Sequence, residues 1–186
     1  NYLKLDYYDG KFSAGIQIEG YLPGSVGYPS ELSGINLSNI YATWKDDDFS
    51  VTAGTFYEQF GSGLLFRSWE ERALGLNNAM TGARFTYNFQ DIVSFKAMWG
   101  LPRFGMGVFT NNTSRANTVT NTETQVRGAD LSVALSNLLD WNNTYLAVEG
   151  SVLNRYEPIS SDLIDEGGKP NTFGYSGRVN FESHGF

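Results

Sequence analysis

The residues best suited to acid–base chemistry are two adjacent carboxylates, Glu70 and Glu71, which stand between Arg67 and Arg72. A catalytic carboxylate pair must converge on one bond, with the two groups about 5–10 Å apart in glycoside hydrolases. Neighbouring side chains diverge in a helix and point to opposite faces in a strand. We therefore interpret both carboxylates as ion-pair partners of the two arginines, and the sequence predicts no enzyme.

The other candidates for catalysis or metal binding lack the partner residues or the spacing that such sites need. The one histidine is His184, and the chain has no cysteine, so thiolate zinc sites and cysteine nucleophiles are excluded. The acidic stretch 162–166 does not have the spacing of an EF-hand loop. Residues 61–66 lack the Gly-x-x-x-x-Gly-Lys pattern of a phosphate-binding loop. We expect neither a metal ion nor a cofactor.

Composition points to a large sheet and away from nucleic acid. The chain has 13 Lys and Arg against 20 Asp and Glu, whereas nucleic-acid binding needs a basic face. Aromatic residues make up 15% of the chain and there are 21 glycines, which favours strands joined by tight turns. No run of 18 apolar residues is present, but a transmembrane strand needs only about 9–11 residues with alternate ones apolar.

Alternation of apolar and polar residues covers most of the chain. In 10–22, one parity holds Phe12, Ile16 and Ile18, and the other holds Gln17 and Glu19. This period of two indicates a strand with one apolar and one polar face. The same pattern predicts strands over 1–9, 10–22, 37–46, 49–58, 79–90, 92–101, 126–137, 144–155 and 173–182.

Short and long connections alternate between these strands. The short ones lie at 46–48, 90–91 and 138–143, and the long ones at 23–36, 59–78, 104–125 and 156–171. Outer-membrane barrels have short turns at one end and long loops at the other, with aromatic residues near the strand ends. We therefore predict a single all-β domain over 1–186, an antiparallel up-and-down transmembrane β-barrel or a large arc of one, with about eight or nine strands. The rival is a soluble β-sandwich, whose strands average about five or six residues.

The connection 59–78 is too apolar for a free loop. Leu64, Leu65, Phe66, Trp69 and Leu74 would form an exposed apolar surface there. We expect the segment to fold inward as a plug, in which 61–78 could form a short helix. The alternative is an external loop whose charges are solvated. The predicted lumen and plug residues are Arg67, Trp69, Glu70, Glu71, Arg72, Arg84, Lys96, Asp130, Glu149 and Arg178.

Three stretches carry a resemblance to a known family. They are 61–88 "GSGLLFRSWEERALGLNNAMTGARFTYN", 126–139 "VRGADLSVALSNLL" and 175–182 "YSGRVNFE". They resemble an uncharacterised family of Bacteroidota outer-membrane proteins that is designated only as a domain of unknown function. The resemblance covers most of the chain and implies a barrel longer than this chain, with a signal peptide, so the chain would be an internal portion. It implies no activity.

These patterns lead to an expected location and function. We expect a protein of the bacterial outer membrane whose partners are the outer-membrane lipids, acting as a porin-like or passive solute channel with a lumen-occluding loop. The alternative is a structural or accessory barrel that binds other envelope proteins through loops 104–125 and 156–171. A soluble β-sandwich binding module is a remote third possibility. The sequence does not identify a substrate.

Overall fold

The computed structural model describes residues 1–22, 34–74, 76–103, 123–141, 143–158 and 167–183. Its strands are β1 Tyr2–Asp9, β2 Phe12–Tyr21, β3 Gly34–Lys45, β4 Phe49–Phe56, β5 Glu70–Glu71, β6 Leu76–Asn77, β7 Met80–Phe89, β8 Val93–Pro102, β9 Gln125–Ala134, β10 Thr144–Tyr156 and β11 Asn171–Ser183. Nine of them form one sheet in chain order, β1-β2-β3-β4-β7-β8-β9-β10-β11, and every neighbouring pair is antiparallel. The all-β, up-and-down arrangement predicted from the alternation is confirmed. A sandwich needs two such sheets, and the two remaining described strands, β5 and β6, form only a two-stranded ribbon.

Helical structure is sparse. A 3-10 turn covers Arg72–Leu74, and a four-residue helix, α1, covers Leu135–Leu138. In the part of the chain that the structure describes, no helix has the length and apolar character needed to cross a membrane. Two sequence interpretations are corrected here. The strand expected over 126–137 ends at Ala134, because α1 turns the chain towards β10. In place of the short helix considered over 61–78, the described residues of that range contain only the 3-10 turn as helical structure.

Burial on the two faces of the sheet is reversed relative to a water-soluble protein. One face, here called the apolar face, carries cross-strand neighbours such as Val93, Val133, Val148 and Val179. On β9, Leu131 of this face is 44% exposed, whereas Asp130 of the opposite polar face is 6% exposed. The polar face is therefore the covered side of the sheet.

A β-bulge keeps this division along β3. Gln17 pairs with Asn39 and Ile18 pairs with Leu37, which leaves Ser38 without a partner on β2. A one-residue shift moves all following side chains to the other face of a strand. Leu37 therefore joins the apolar face, and Ser38 is fixed by donating its hydroxyl to the Gln17 carbonyl at 3.1 Å.

The short turns match the tight connections predicted from the sequence. Between β7 and β8, Gln90 and Asp91 have φ of 47° and 53°, and the Ile92 N–H donates to the Phe89 carbonyl at 2.8 Å. Positive φ at both central residues gives a turn of the primed type, whose twist suits a hairpin. Asp tolerates this conformation better than most residues.

Strong curvature brings distant strands together across the polar face. Arg103, which follows β8, donates to both carboxylate oxygens of Glu19 in β2 at 3.2 and 2.9 Å. Strands β3, β4 and β7 separate β2 from β8 in the sheet. The polar face is therefore concave. Within the described ranges, β1 and β11 are the two edges of the sheet, each paired on one side only.

Removing one partner of the Arg103–Glu19 pair should destabilise the curved sheet. Both side chains are almost fully buried, and breaking a buried pair on one side costs about 3–5 kcal/mol. We expect Glu19→Gln to lower the free energy of unfolding, measured by denaturant titration, by that amount, and Glu19→Leu with Arg103→Met to recover most of it. Arg155→Met is the control, because its pair with Glu157 is about half exposed and worth about 0–1 kcal/mol. Equal losses from Glu19→Gln and the control would show that the pair does not maintain the curvature.

Candidate functional site

The connection between β4 and β7 lies on the concave polar face and reaches both edges of the sheet. We call residues 57–79 the crossing segment. Its Leu65 packs against β11 so closely that a Cβ on Gly174 would be 2.7 Å from Leu65 Cδ1. Its Arg72 guanidinium lies over the ring of Tyr2 in β1, 4.3 Å from the ring centroid. The segment therefore joins the two edge strands across the sheet.

The first half of the crossing segment is a narrow hairpin, residues 58–68. The Phe60 N–H donates to the Phe66 carbonyl at 3.0 Å, and the Ser68 N–H donates to the Glu58 carbonyl at 2.8 Å. Gly61 and Gly63 have φ of 47° and 84° at its tip. The Gly-Ser-Gly sequence thus forms a tight turn.

Apolar packing fixes the hairpin to the sheet. Phe60 is fully buried, and its ring contacts that of Phe66 with centroids 5.3 Å apart. The buried hydrophobic cluster of the described residues comprises Phe56, Phe60, Met80, Met98 and Val126, with Phe66 and Leu153 packed against it. This cluster lies between the hairpin and the polar face, and the crossing segment contributes Phe60 and Phe66 to it.

Two glycines make this close approach possible. A Cβ on Gly128 of β9 would be 2.7 Å from Phe60 Cε2 and 2.7 Å from the Val152 carbonyl oxygen. A Cβ on Gly61 would be 1.6 Å from the guanidinium carbon of Arg178. Real Cβ atoms do not approach other atoms so closely. The absence of a Cβ on Gly128 leaves room for the Phe60 ring, and its absence on Gly61 leaves room for the Arg178 guanidinium.

Glu58 is the carboxylate that joins the crossing segment to the centre of the sheet. Lys96 of β8 donates to Glu58 Oε1 and to the Gln59 carbonyl, both at 2.9 Å. Arg84 of β7 lies 3.6 Å from Glu58 Oε2 and donates to the Tyr57 carbonyl at 3.0 Å. Two cations of the polar face thus bind the base of the hairpin, and Arg84 Nε has no hydrogen-bond partner among the described residues.

Arg178 of β11 plays the corresponding role at the hairpin tip. Its Nε donates to Glu149 at 2.6 Å, one Nη donates to Asp130 at 3.2 Å, and the other donates to the Phe60 carbonyl at 3.3 Å. Ser151 donates to Asp130, and Asn180 donates to Glu149 at 2.6 Å. One guanidinium therefore faces two carboxylates, and neutral donors complete the carboxylate hydrogen bonds.

The second half of the crossing segment is the β5–β6 ribbon, whose charged side chains, like Arg67 at the end of the hairpin, make contacts within the segment. Arg72 Nε lies 3.1 Å from Glu70 Oε1, and this neighbour raises the pKa of Arg72. Glu71 accepts the Ala73 N–H at 3.2 Å, and Arg67 lies over the ring of Trp69 at 4.8 Å.

A cavity of about 410 Å³ separates the ribbon from strands β1–β4 and β7. Tyr57, Glu70 and Arg72 line it on the segment side, and Lys4 and Arg84 are among the residues on the sheet side. Burial raises the pKa of the Tyr57 hydroxyl, so it remains protonated and donates to Asn77 Oδ1 at 3.2 Å. Among the described residues, no cluster of three potential ligands that could hold a metal ion is found.

Comparison with known proteins gives a family. The sequence model of a family of unknown function, DUF6029, matches residues 1–186. The chain belongs to this family. No curated protein and no solved structure matches it. DUF6029 membership assigns no activity, so the function has to be argued from the geometry of the polar face.

The ten residues singled out in the sequence divide between the two surfaces that meet here. Five lie on the polar face of the sheet: Arg84, Lys96, Asp130, Glu149 and Arg178. Five lie on the crossing segment: Arg67, Trp69, Glu70, Glu71 and Arg72. Glu70 pairs with Arg72, as interpreted from the sequence, and Glu71 accepts the Ala73 N–H, whereas Arg84 and Lys96 of the polar face contact Glu58.

Sequence reasoning missed Glu58, Phe60 and the Arg103–Glu19 pair. Glu19 stood on the polar parity of a recognised strand, but nothing local identified its partner, which is 84 residues away. Glu58 was placed inside a predicted strand, 49–58, that ends at Phe56. His184 and loop residues 104–122 and 159–166, which include most of the loops proposed for docking, lie outside the described residues.

A methyl group at Gly128 should displace the hairpin. We expect Gly128→Ala to lower stability by about 1–3 kcal/mol through overpacking against Phe60 and the Val152 carbonyl, and to speed tryptic cleavage after Arg67. The control is Gly150→Ala on β10, where the nearest atom would be 4.0 Å from the new Cβ. If both variants are cleaved at the rate of the parent chain, the close fit at Gly128 does not hold the hairpin in place.

Proposed function

We propose that the sheet is the wall of an integral outer-membrane β-barrel, or a large arc of one, that works as a porin-like passive solute channel. The observation that carries the proposal is the reversed burial of the two faces. Charged and amide side chains occupy the covered concave face, and large apolar side chains cover the exposed convex face. Transmembrane barrels have this distribution because lipid surrounds the wall and water or polar groups fill the interior.

The apolar face supports contact with lipid. Its exposed large side chains include Leu3, Leu5, Ile40, Trp44, Val51, Trp99, Leu131, Val148, Val152, Tyr175, Val179 and Phe181. Soluble monomers rarely expose a continuous apolar surface of more than a few hundred Å². The nine strands of the sheet have 8 to 13 residues, close to the 9–11 that a tilted strand needs to cross a bilayer.

The polar face supports a constricted lumen. The crossing segment lies where solutes would pass, and its hairpin is bonded to Lys96 and Arg178 of the wall. Charges at a constriction select solutes by sign and size. In this proposal the segment narrows the channel, and the ion pairs around the hairpin set the passage that remains.

A structural barrel in an envelope complex is the second candidate. It is favoured by the density of the contacts at the hairpin, where Phe60 is fully buried and Arg178 and Lys96 are bonded to its backbone. A hairpin held so firmly suits a closed lumen. Partner proteins would then bind at the loops between strands.

Lipid contact should alternate between neighbouring residues of β9. Because the chain has no cysteine, Leu131→Cys and Ser132→Cys each introduce a unique labelling site. After reconstitution into liposomes, we expect a fluorophore at 131 to be quenched by lipid-attached nitroxides and one at 132 to be protected, since the two side chains point to opposite faces. Equal quenching at both positions would contradict a membrane-embedded sheet.

Shortening the hairpin should open the channel. Glu58 and Ser68 are hydrogen-bonded neighbours, so an Asn-Gly turn can replace residues 59–67 and leave the Glu58 carboxylate in place. We expect single-channel conductance in planar bilayers to rise several-fold, because the Phe60 side of the lumen is vacated. Leu64→Ser is the control, since Leu64 is 86% exposed at the tip and its replacement should leave conductance unchanged.

The same recordings separate the two candidate functions. Channels in the parent chain that widen in the shortened chain support the solute channel. If neither chain conducts while both migrate as folded, heat-modifiable species, the channel proposal fails and the structural barrel is favoured.

A further inference from the structure

The cavity between the β5–β6 ribbon and the sheet has the size of a small-molecule site. Its volume of about 410 Å³ falls within the range of about 300–1,000 Å³ that such sites occupy. Its walls come from β1–β4, β7 and the crossing segment, so a solute bound there would touch both the wall and the plug.

Among the residues that line this cavity, cations outnumber carboxylates. Lys4, Arg72 and Arg84 line it, against one lining carboxylate, Glu70, although the whole chain has a net charge of −7. Lys4 pairs with Asp6 at 3.3 Å, and Arg84 pairs with Glu58 at 3.6 Å; neither carboxylate lines the cavity. The Lys4 and Arg72 side chains remain about half exposed, so both can contact a solute in the cavity.

The neutral lining residues suit a hydroxylated ligand. Hydroxyl and amide groups are contributed by Gln17, Asn39, Tyr41, Thr43, Thr52, Thr55 and Tyr57, and Phe56 adds an aromatic ring. Two polar atoms of lining residues, Asn39 Oδ1 and Arg84 Nε, have no hydrogen-bond partner among the described residues. Buried polar atoms without a partner are uncommon in folded proteins and indicate a place where hydrogen bonds remain available.

We propose that this cavity binds a small hydroxylated anion, a sugar ring that carries one carboxylate or phosphate group. The anionic group would lie between Lys4 and Arg72, and the ring hydroxyls would bond to the Thr43 and Asn39 side chains. A carboxylate and a phosphate present the same oxygen chemistry to a guanidinium, so the test contains both. The inference builds on the proposed function, because it names the solute class that the lumen would admit.

Equilibrium binding tests the inference separately from conductance. The full chain in detergent micelles is titrated calorimetrically with glucuronate, glucose 6-phosphate, glucose and inorganic phosphate. We expect glucuronate or glucose 6-phosphate to bind at least tenfold more tightly than glucose and than inorganic phosphate. Lys4→Gln and Arg72→Gln should each weaken that binding about tenfold, the usual effect of losing a charge-assisted hydrogen bond.

Arg155→Gln is the matched control, because Arg155 is an exposed arginine of β10 that does not line the cavity. Heat-modifiable migration confirms that each variant is folded. The proposal is overturned if neither sugar anion binds, if glucose binds as tightly as glucuronate, if inorganic phosphate alone binds as tightly, or if Arg155→Gln weakens binding as much as Lys4→Gln. If the chain binds glucuronate but does not conduct, the binding site is supported and the channel proposal fails. If the chain conducts but binds neither sugar anion, the channel is supported and the binding site is rejected.

Discussion

Satisfying the buried charges of the concave face is the constraint on which the rest of this structure depends. Asp130 and Glu149 have little solvent around them, and an uncompensated buried carboxylate would be too costly to keep ionised. Arg178 lies between them and also bonds the Phe60 carbonyl, so the same cation that neutralises the wall binds the hairpin. The sheet and the crossing segment are therefore stable in this form only together.

The apolar contribution to this union is small and local. The buried cluster around Phe60 occupies one part of the concave face, whereas many large apolar side chains of the convex face are exposed. A nine-stranded sheet in water would need a second layer over that convex face. Membrane lipid would supply the layer. The proposed membrane location would thus account for both the exposed apolar side chains of the convex face and the covered polar side chains of the concave face.

Regular alternation made the sheet predictable, whereas contacts between distant parts of the sequence did not leave a local signal. Period-two patterns located all nine strands of the sheet, since side-chain parity is a property of the strand alone. The bulge at Ser38 and the helix after Ala134 were missed because each interrupts that parity over a few residues only. Glu58 was missed as a partner of Lys96 because its role depends on how the chain leaves β4, and the Arg103–Glu19 pair depends on the curvature of five strands.

The two halves of the crossing segment differ in how completely their contacts are satisfied, and the proposed ligand site lies at the less completely bonded half, the ribbon. At the hairpin, the strand cations bond to carboxylates or to backbone carbonyls, and a fully buried ring fills the space between the surfaces. At the ribbon, a cavity remains, and Asn39 and Arg84 keep polar atoms without partners. Natural proteins leave such groups unsatisfied chiefly where a ligand completes them or where flexibility is needed. The hairpin is therefore the anchor of the segment, and in the proposed site beside the ribbon a solute would exchange its hydration for protein contacts.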